Sequence, residues 1–333
     1  MSFFTTQVKP VSLEEEQEGL VPRDRWNRPL IILPDGSGKT APYARASSFG
    51  GVLEDKSALE KWGKRQMLRG AAIEPSIIDR VPHGPARERG GEISYNDKKI
   101  LNTLVEAADE AVGSSDKASL GTAIHYGTEL VDLGGDLSVL SDHVRERADA
   151  YHRFCKTWGL RMTSVERFGV EDENRVAGTW DRTGVVPWKP DVACILDVKT
   201  SSTMDFAGIG FGVQLAEYAH MSEYDPATGR RTPHENMDLS EAWIIHIGRN
   251  MGDPVELFRV DIARGWKYAR LVAEVKAARK AGKYLIEPMS WIRGAILGAQ
   301  SREEILSLWE SYGEEWTEGD KKAATRRQAE VSR

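Results

Sequence analysis

The chain has 333 residues, 40% of them hydrophobic and 29% charged, with a formal net charge of −6 at pH 7; that is the balance of a soluble globular protein built as one large domain with appendages. No apolar run reaches the roughly eighteen residues of a membrane span, and the N-terminus MSFFTTQVKPVSLEEEQEG lacks the basic-then-apolar order of a secretory signal, so a cytoplasmic protein without a membrane partner is expected. The acidic charge excludes coating of nucleic acid by bulk electrostatics but leaves room for a local basic strip, and the two cysteines, Cys155 and Cys194, are too few for a disulfide framework or an iron–sulfur cluster.

Residues 1 to about 28 are polar, without a sustained apolar period, and predict a flexible or loosely packed arm. RPLIILPDGSGKTAPYARASS predicts a strand over Leu30 to Leu33, a turn and a return segment, so that 1–45 is an arm and a hairpin. Gly38-Lys39-Thr40 mimics the end of a phosphate-binding loop, but that loop needs a glycine where Leu33 stands, and a simple turn is the expectation.

From Lys56, KSALEKWGKRQMLRGAA has helical spacing, with Leu59, Trp62, Met67 and Leu68 as the expected buried stripe. A loop, PHGPARERGGEISYND, leads to a second helix over Ile100 to Val112. ASLGTAIHYGTELVDL predicts a third helix ended by Gly134-Gly135, and LSVLSDHVRERADAYHRFCKTWGL a fourth ended by Gly159. Character changes near Met162: RMTSVERFGV, RVAGTWDRTGVV, DVACILDVKTS, EAWIIHIGR and VELFRVDIA read as strands, with the helix GIGFGVQLAEYAHMSEY after the third. Helices follow over about Ala263 to Ala281 and Glu303 to Tyr312, and the charged tail KKAATRRQAEVSR is expected to be disordered. The fold class is therefore α+β, with a helical N-terminal half and a mixed central β-sheet flanked by helices. The main domain is expected over 46–300 and the C-terminal helix and tail over 301–333.

Chemistry concentrates in GTWDRTGVVPWKPDVACILDVKTSS. A hairpin centred near Lys189 opposes residues whose numbers sum to about 378, which pairs Asp181 with Asp197. Lys199, two residues beyond Asp197, points to the same side of the pleat. Two facing carboxylates repel unless a hard cation sits between them; such a metal could polarise a phosphodiester oxygen and lower the pKa of a bound water, with Lys199 positioning the water or stabilising negative charge. The competing reading is an exposed salt bridge on a strand edge. Against it, the apolar run VACIL before Asp197 is that of a strand buried on both faces, where a charged triplet needs a reason. Asp191, in the string Pro190-Asp191, lies six residues from Asp197, roughly 20 Å along a strand, too far to share its ion, and reads as a turn residue.

Gly178-Thr-Trp-Asp181, Asp197-Val-Lys199-Thr200, Gln214-Leu-Ala-Glu-Tyr218 and an upstream Gly121-Thr-Ala-Ile-His125 occur in this order. In that order they resemble the PD-(D/E)xK nuclease domain of RecB-type, AddB-type, CRISPR-associated and phage exonucleases, over about residues 120–260. The resemblance implies a restriction-endonuclease-like core in which His125, Asp181, Asp197 and the backbone carbonyl of Val198 bind Mg²⁺ or Mn²⁺. It implies Lys199 as the catalytic lysine, and Gln214 and Tyr218 touching the lysine region or the DNA strand. On its own, His125 reads more often as a core histidine than as a ligand, Glu129 as a partner behind it or a helix salt bridge, and Gln214 and Tyr218 equally as helix packing. The implied activity is metal-dependent DNA hydrolysis, exonucleolytic, in phage or bacterial recombination, replication or repair. The alternatives are an endonuclease of the same superfamily and a non-catalytic DNA-binding scaffold. The implied partner is DNA. With no helicase motif, work on duplex ends would depend on a partner or on strands already unwound, and the candidate companion is a helicase or a single-strand annealing protein.

Overall fold

The computed structural model describes residues 21–332, apart from 85–86, 89, 202–203, 205–207, 283–285 and 287–288. The first twenty residues of the expected arm lie outside the described residues. Val21, however, is buried with Ile31, Tyr43 and Phe168, and Arg23 bridges to Pro29, so the last part of the arm is packed rather than loose. An apolar side chain next to Pro22 reaches a core that no local period could announce.

The elements run in chain order as follows. Strands β1 (Leu30–Ile32) and β2 (Thr40–Pro42) form the expected hairpin, and β3 (Ala44–Arg45) and the short helix α1 (Ala46–Gly50) follow. Gly38 takes φ +68° in the hairpin turn and Lys39 leads into a strand, not a helix, so the glycine-lysine pair has no phosphate-loop geometry. Helices α2 (Ser57–Ile73), α3 (Ser76–Asp79), α4 (Tyr95–Ala111), α5 (Ser114–Leu133) and α6 (Asp142–Trp158) complete the helical half. Gly134 and Gly159 close α5 and α6 at positive φ, a left-handed cap that favours glycine. The long strands β4 (Arg161–Glu171), β5 (Val176–Val186) and β6 (Lys189–Lys199) come next, then α7 (Gly208–His220) and the hairpin of β7 (Ser222–Tyr224) and β8 (Arg231–Pro233). Strands β9 (Glu241–Ile247) and β10 (Val255–Asp261) and helices α8 (Ile262–Ala281), α9 (Trp291–Gly298), α10 (Arg302–Tyr312) and α11 (Glu318–Val331) end the chain.

The main sheet has eight strands in the order β10-β9-β6-β5-β4-β7-β8, with β3 added along β5. It is mixed: β4, β5 and β6 are antiparallel neighbours, while β6 pairs in parallel with β9 after the crossover through α7. One apolar cluster joins the sheet to α5 and α6 through Ile124, Tyr151, Leu196 and Val198; another joins it to α7 and α8 through Trp180, Ile195, Val213 and Val272. The fold is α+β, a mixed sheet flanked by helices.

Three local expectations are corrected. Leu59, Trp62, Met67 and Leu68 of α2 are exposed, and the face that α2 buries carries Gln66 and Gly70. Its backbone approaches α4 so closely that a Cβ on Gly70 would lie 1.9 Å from the Ala108 carbonyl oxygen, and a contact that tight leaves no room for the large side chains. MSEY does not extend α7 but enters β7, which pairs with β4 and β8. The charged tail is not disordered. Thr317 and Asp320 form a reciprocal capping box at the start of α11, Asp320 also pairs with buried Arg293, and Trp316 and Ala324 pack with Ile292, Ile296 and Ile305. The chain divides into compact units at Ala273/Glu274, earlier than the boundary expected at residue 300.

Candidate metal centre

Strand β5 is paired with β3 only at Val176 and Ala177 and with β6 only from Arg182 onward. Between those ladders the Gly178–Asp181 stretch has a free edge in the middle of the sheet, and this gap holds the site. Arg182↔Leu196, Thr183↔Ile195 and Gly184↔Cys194 keep the predicted sum of 378, although the tight turn lies at Val186↔Lys189; a register shift between Gly184 and Val186 makes up the difference. Beyond Arg182 the strands separate, and the Asp181 carboxylate enters the gap to accept the Val198 N–H at 2.7 Å. In an extended strand the N–H and C=O of one residue point to the same side, so the Val198 carbonyl turns toward Asp181 as well.

The same symmetry extends to β4. Val165↔Arg182 and Arg167↔Trp180 bracket Glu166 opposite Asp181, so Glu166, Asp181 and Asp197 form a row of acids across three adjacent strands. Glu166 was not among the predicted site residues, yet the rule that selected Asp181 selects it once the β4–β5 turn is included. Its φ of +45° is unusual for a non-glycine residue and marks local strain of the kind stored at functional sites.

Helix α5 brings His125 onto this row. Its Nε2 lies 3.2 Å from Glu166 Oε1 and 3.7 Å from both Asp181 Oδ2 and Glu129 Oε1. His125, Glu129 and Glu166 each offer a ligand atom, all within 4.8 Å of one another, and this group could hold a metal ion. Glu129, one helical turn after His125, makes the i,i+4 contact with it along the helix and is also one of these three groups. Asp197 is 1% exposed; Lys199 makes an ion pair with its Oδ2, and Oδ1 has no hydrogen-bond partner among the described residues. A buried carboxylate oxygen without a donor is the kind of atom a cation satisfies.

The charges respond to this crowding. Burial opposes protonation of His125, but Asp181 and the Glu166 hydrogen bond outweigh it and raise the imidazole to about 9. Burial pushes Asp197 and Glu166 above the usual carboxylate range, with the Asp181 charge adding to both shifts. Asp181 is held low despite its burial by His125, Lys199 and Arg182. The Lys199 ammonium is kept charged against burial by Asp197 and Asp181, and it also lies 5.4 Å from the Phe211 ring centre. Behind the row, fully buried Arg182 donates to Asp132, Glu166 and Thr128 and to the Asp181 carbonyl, fixing the strand from beneath.

The remaining motif residues also converge. A Cβ on Gly121 would lie 2.9 Å from Thr200 Oγ1, so the glycine that precedes His125 by one helical turn packs on the threonine that follows Lys199. A Cβ on Gly178 would lie 3.2 Å from the Tyr218 ring. Gln214 donates to the Tyr218 hydroxyl at 3.1 Å, and this buried phenol is pushed well above its usual range by burial and by Asp197 and Asp181. Asp191 is exposed at the opposite end of β6, and its carbonyl accepts from Asn236. Beside Gly178 and Tyr218 lies a cavity of about 190 Å³ lined by Arg23, Arg45, Ser47 and Thr179. Cys155 and Cys194 are buried free thiols.

Neither a scan against protein-family models nor a search of curated proteins finds a match to this chain.

Proposed function

We propose that the chain is a divalent-metal-dependent DNA hydrolase of the PD-(D/E)xK, RecB exonuclease type, with a restriction-endonuclease-like core. The observation that carries this reading is the row Glu166–Asp181–Asp197, closed by His125 on one side and Lys199 on the other. Acids opposed across neighbouring strands repel, and a structural role needs neither three of them nor an unpartnered oxygen on the most buried one. His125, Glu129, Glu166, Asp181 and Asp197 would hold Mg²⁺ or Mn²⁺, with the Val198 carbonyl available beside them. A divalent ion held there supplies Lewis-acid charge for a phosphodiester.

The chain's own groups do the rest. Asp197 and the Phe211 ring orient the Lys199 ammonium, which places a proton donor and a positive charge where the attacking water and the developing negative charge must sit. Arg182 holds the Glu166 carboxylate, and the Val198 N–H holds that of Asp181. Arg23 and Arg45 line a cavity beside Gly178, about 10 Å along the strand from Asp181, and offer positive charge to the backbone of a bound strand. Exonucleolytic action, phage or bacterial recombination or repair, and a helicase or annealing protein as companion belong to the resemblance of the motifs.

The test uses end-labelled linear and closed circular DNA with Mg²⁺, Mn²⁺ or EDTA. Linear DNA is expected to be degraded from its ends and circles spared, with EDTA and the Asp197→Ala variant both silent. Cut circles would make the enzyme an endonuclease, and intact linear DNA under every metal would remove the nuclease reading.

A further inference from the structure

Helix α2 is the least buried long helix among the described residues of the first compact unit. Of its seventeen residues only Gln66 and Gly70 are buried, although it carries Leu59, Trp62 and Leu68 at 61%, 51% and 67% exposure. On a helical wheel, Lys61, Lys64, Arg65 and Leu68 follow i, i+3, i+4, i+7 spacing and project away from the Gln66–Gly70 contact, with Trp62 and Arg69 on the flank. Lys61, Lys64 and Arg65 make no ion pair among the described residues, and Glu60 is the only acid in the helix. A helix with four basic residues against one acid, on a chain of net charge −6, is a local reversal of sign.

Charge alone is satisfied by water, and apolar exposure alone fits any protein partner. Together they fit one ligand better than others: a polyanion that also presents flat apolar faces. Single-stranded nucleic acid has both, phosphates for Lys61, Lys64 and Arg65 and unstacked bases for Trp62; a duplex hides its base faces. The position agrees. Helix α2 packs on α4, and α4 packs on α5, which carries His125; two helix-to-helix steps amount to about 20 Å, within reach of a strand a few nucleotides long whose scissile phosphate lies at the acid row.

We propose that the outward face of α2 binds single-stranded DNA passing to or from the metal centre; this rests on the nuclease reading for its direction but not for its existence. The test measures binding of a labelled single-stranded oligonucleotide and its duplex by fluorescence anisotropy, in EDTA so that nothing is cut, over a salt series. The charge reversal Lys61→Glu/Lys64→Glu/Arg65→Glu is expected to weaken single-strand binding at least about tenfold and to flatten the salt dependence by about 0.7 in log–log slope per lost phosphate contact. Trp62→Ala is expected to weaken single-strand binding about tenfold while leaving duplex binding nearly unchanged. Both variants should keep the wild-type circular dichroism and mass in sedimentation, since the altered side chains are exposed.

Wild-type affinity in both variants would overturn the proposal, as would an equal loss for duplex. A change of sedimenting mass in Trp62→Ala without a change in affinity would also overturn it and assign the face to a second copy of the chain. Hydrolysis of the small ester bis(p-nitrophenyl) phosphate with Mn²⁺, compared with Asp197→Ala, separates the two readings. It should survive the α2 substitutions, and if the wild type lacks it the nuclease reading fails while the binding result stands.

Discussion

At the residue scale, the imidazole of His125 sits among carboxylates that raise it to about 9, from an ordinary 6.5. Protonated, it is a guest of Asp181 and Glu166, and that attraction stabilises the fold fully below about pH 6.5 and is lost as pH rises through about 9. A metal ligand must be neutral, so ion and proton compete for Nε2. Affinity for Mn²⁺ should therefore rise with pH between about 6.5 and 9, and calorimetry in buffers of different ionisation enthalpy should detect at least one proton released per ion bound; a pH-independent affinity with no proton release would remove His125 from the ligand set. Mn²⁺ should bind more tightly than Mg²⁺, because an imidazole nitrogen suits the softer ion. Glu166→Gln should weaken Mn²⁺ at least about tenfold, read by the same titration, whereas Asp191→Asn at the far end of β6 should leave it unchanged.

At the element scale, the motif glycines are contact positions rather than flexible joints. Gly121 lets α5 approach the end of β6, where Thr200 occupies the space a methyl group would need. Gly121→Ala should cost about 1–3 kcal/mol of stability by overpacking. The double variant Gly121→Ala/Thr200→Ala should recover part of that loss in urea unfolding, since the coupling term of the cycle isolates this one contact. Simple additivity would place the strain elsewhere. Arg182 poses the opposite problem: its charge is buried, and Arg182→Met strands Asp132 without its cation and leaves Glu166 to His125. A loss of about 3–5 kcal/mol is expected, measured at neutral pH; a near-neutral effect would mean that the acids are protonated in the variant.

At the scale of the whole molecule, two compact units are built by different means. The first depends on a sheet with helices on both faces. The second, Glu274–Arg333, depends on a small apolar cluster and on one polar knot in which Asp320 serves Thr317, Ser290 and Arg293 together. Asp320→Ala removes the capping partner of Thr317 and the carboxylate that accepts from Arg293. It should destabilise the second unit by about 1–2 kcal/mol, seen as earlier loss of helical circular dichroism on heating. The two thiols lie in the first unit, buried and raised to about 12 by burial. They should react with a thiol reagent only as fast as the protein opens.

Local pattern by itself determined the hairpin at Leu30, the glycine caps that end α5 and α6, the three long strands and the register that pairs Arg182 with Leu196. These follow from period, turn chemistry and strand symmetry, which act between near neighbours. The facing of α2 was decided elsewhere: periodicity shows that a helix has a face, while only the close contact of Gly70 with Ala108 decides which face is covered. The order of the tail was decided by Trp316 and Ala324 finding a core and Asp320 finding Arg293, none of which a charge count registers. The metal centre divides along the same line. Asp181, Asp197 and Lys199 could be paired from one hairpin, but Glu129 and Glu166 acquire their meaning only when the sheet lays β4 beside β5 and α5 crosses above them, because a cation is held by atoms close in space and distant in the chain.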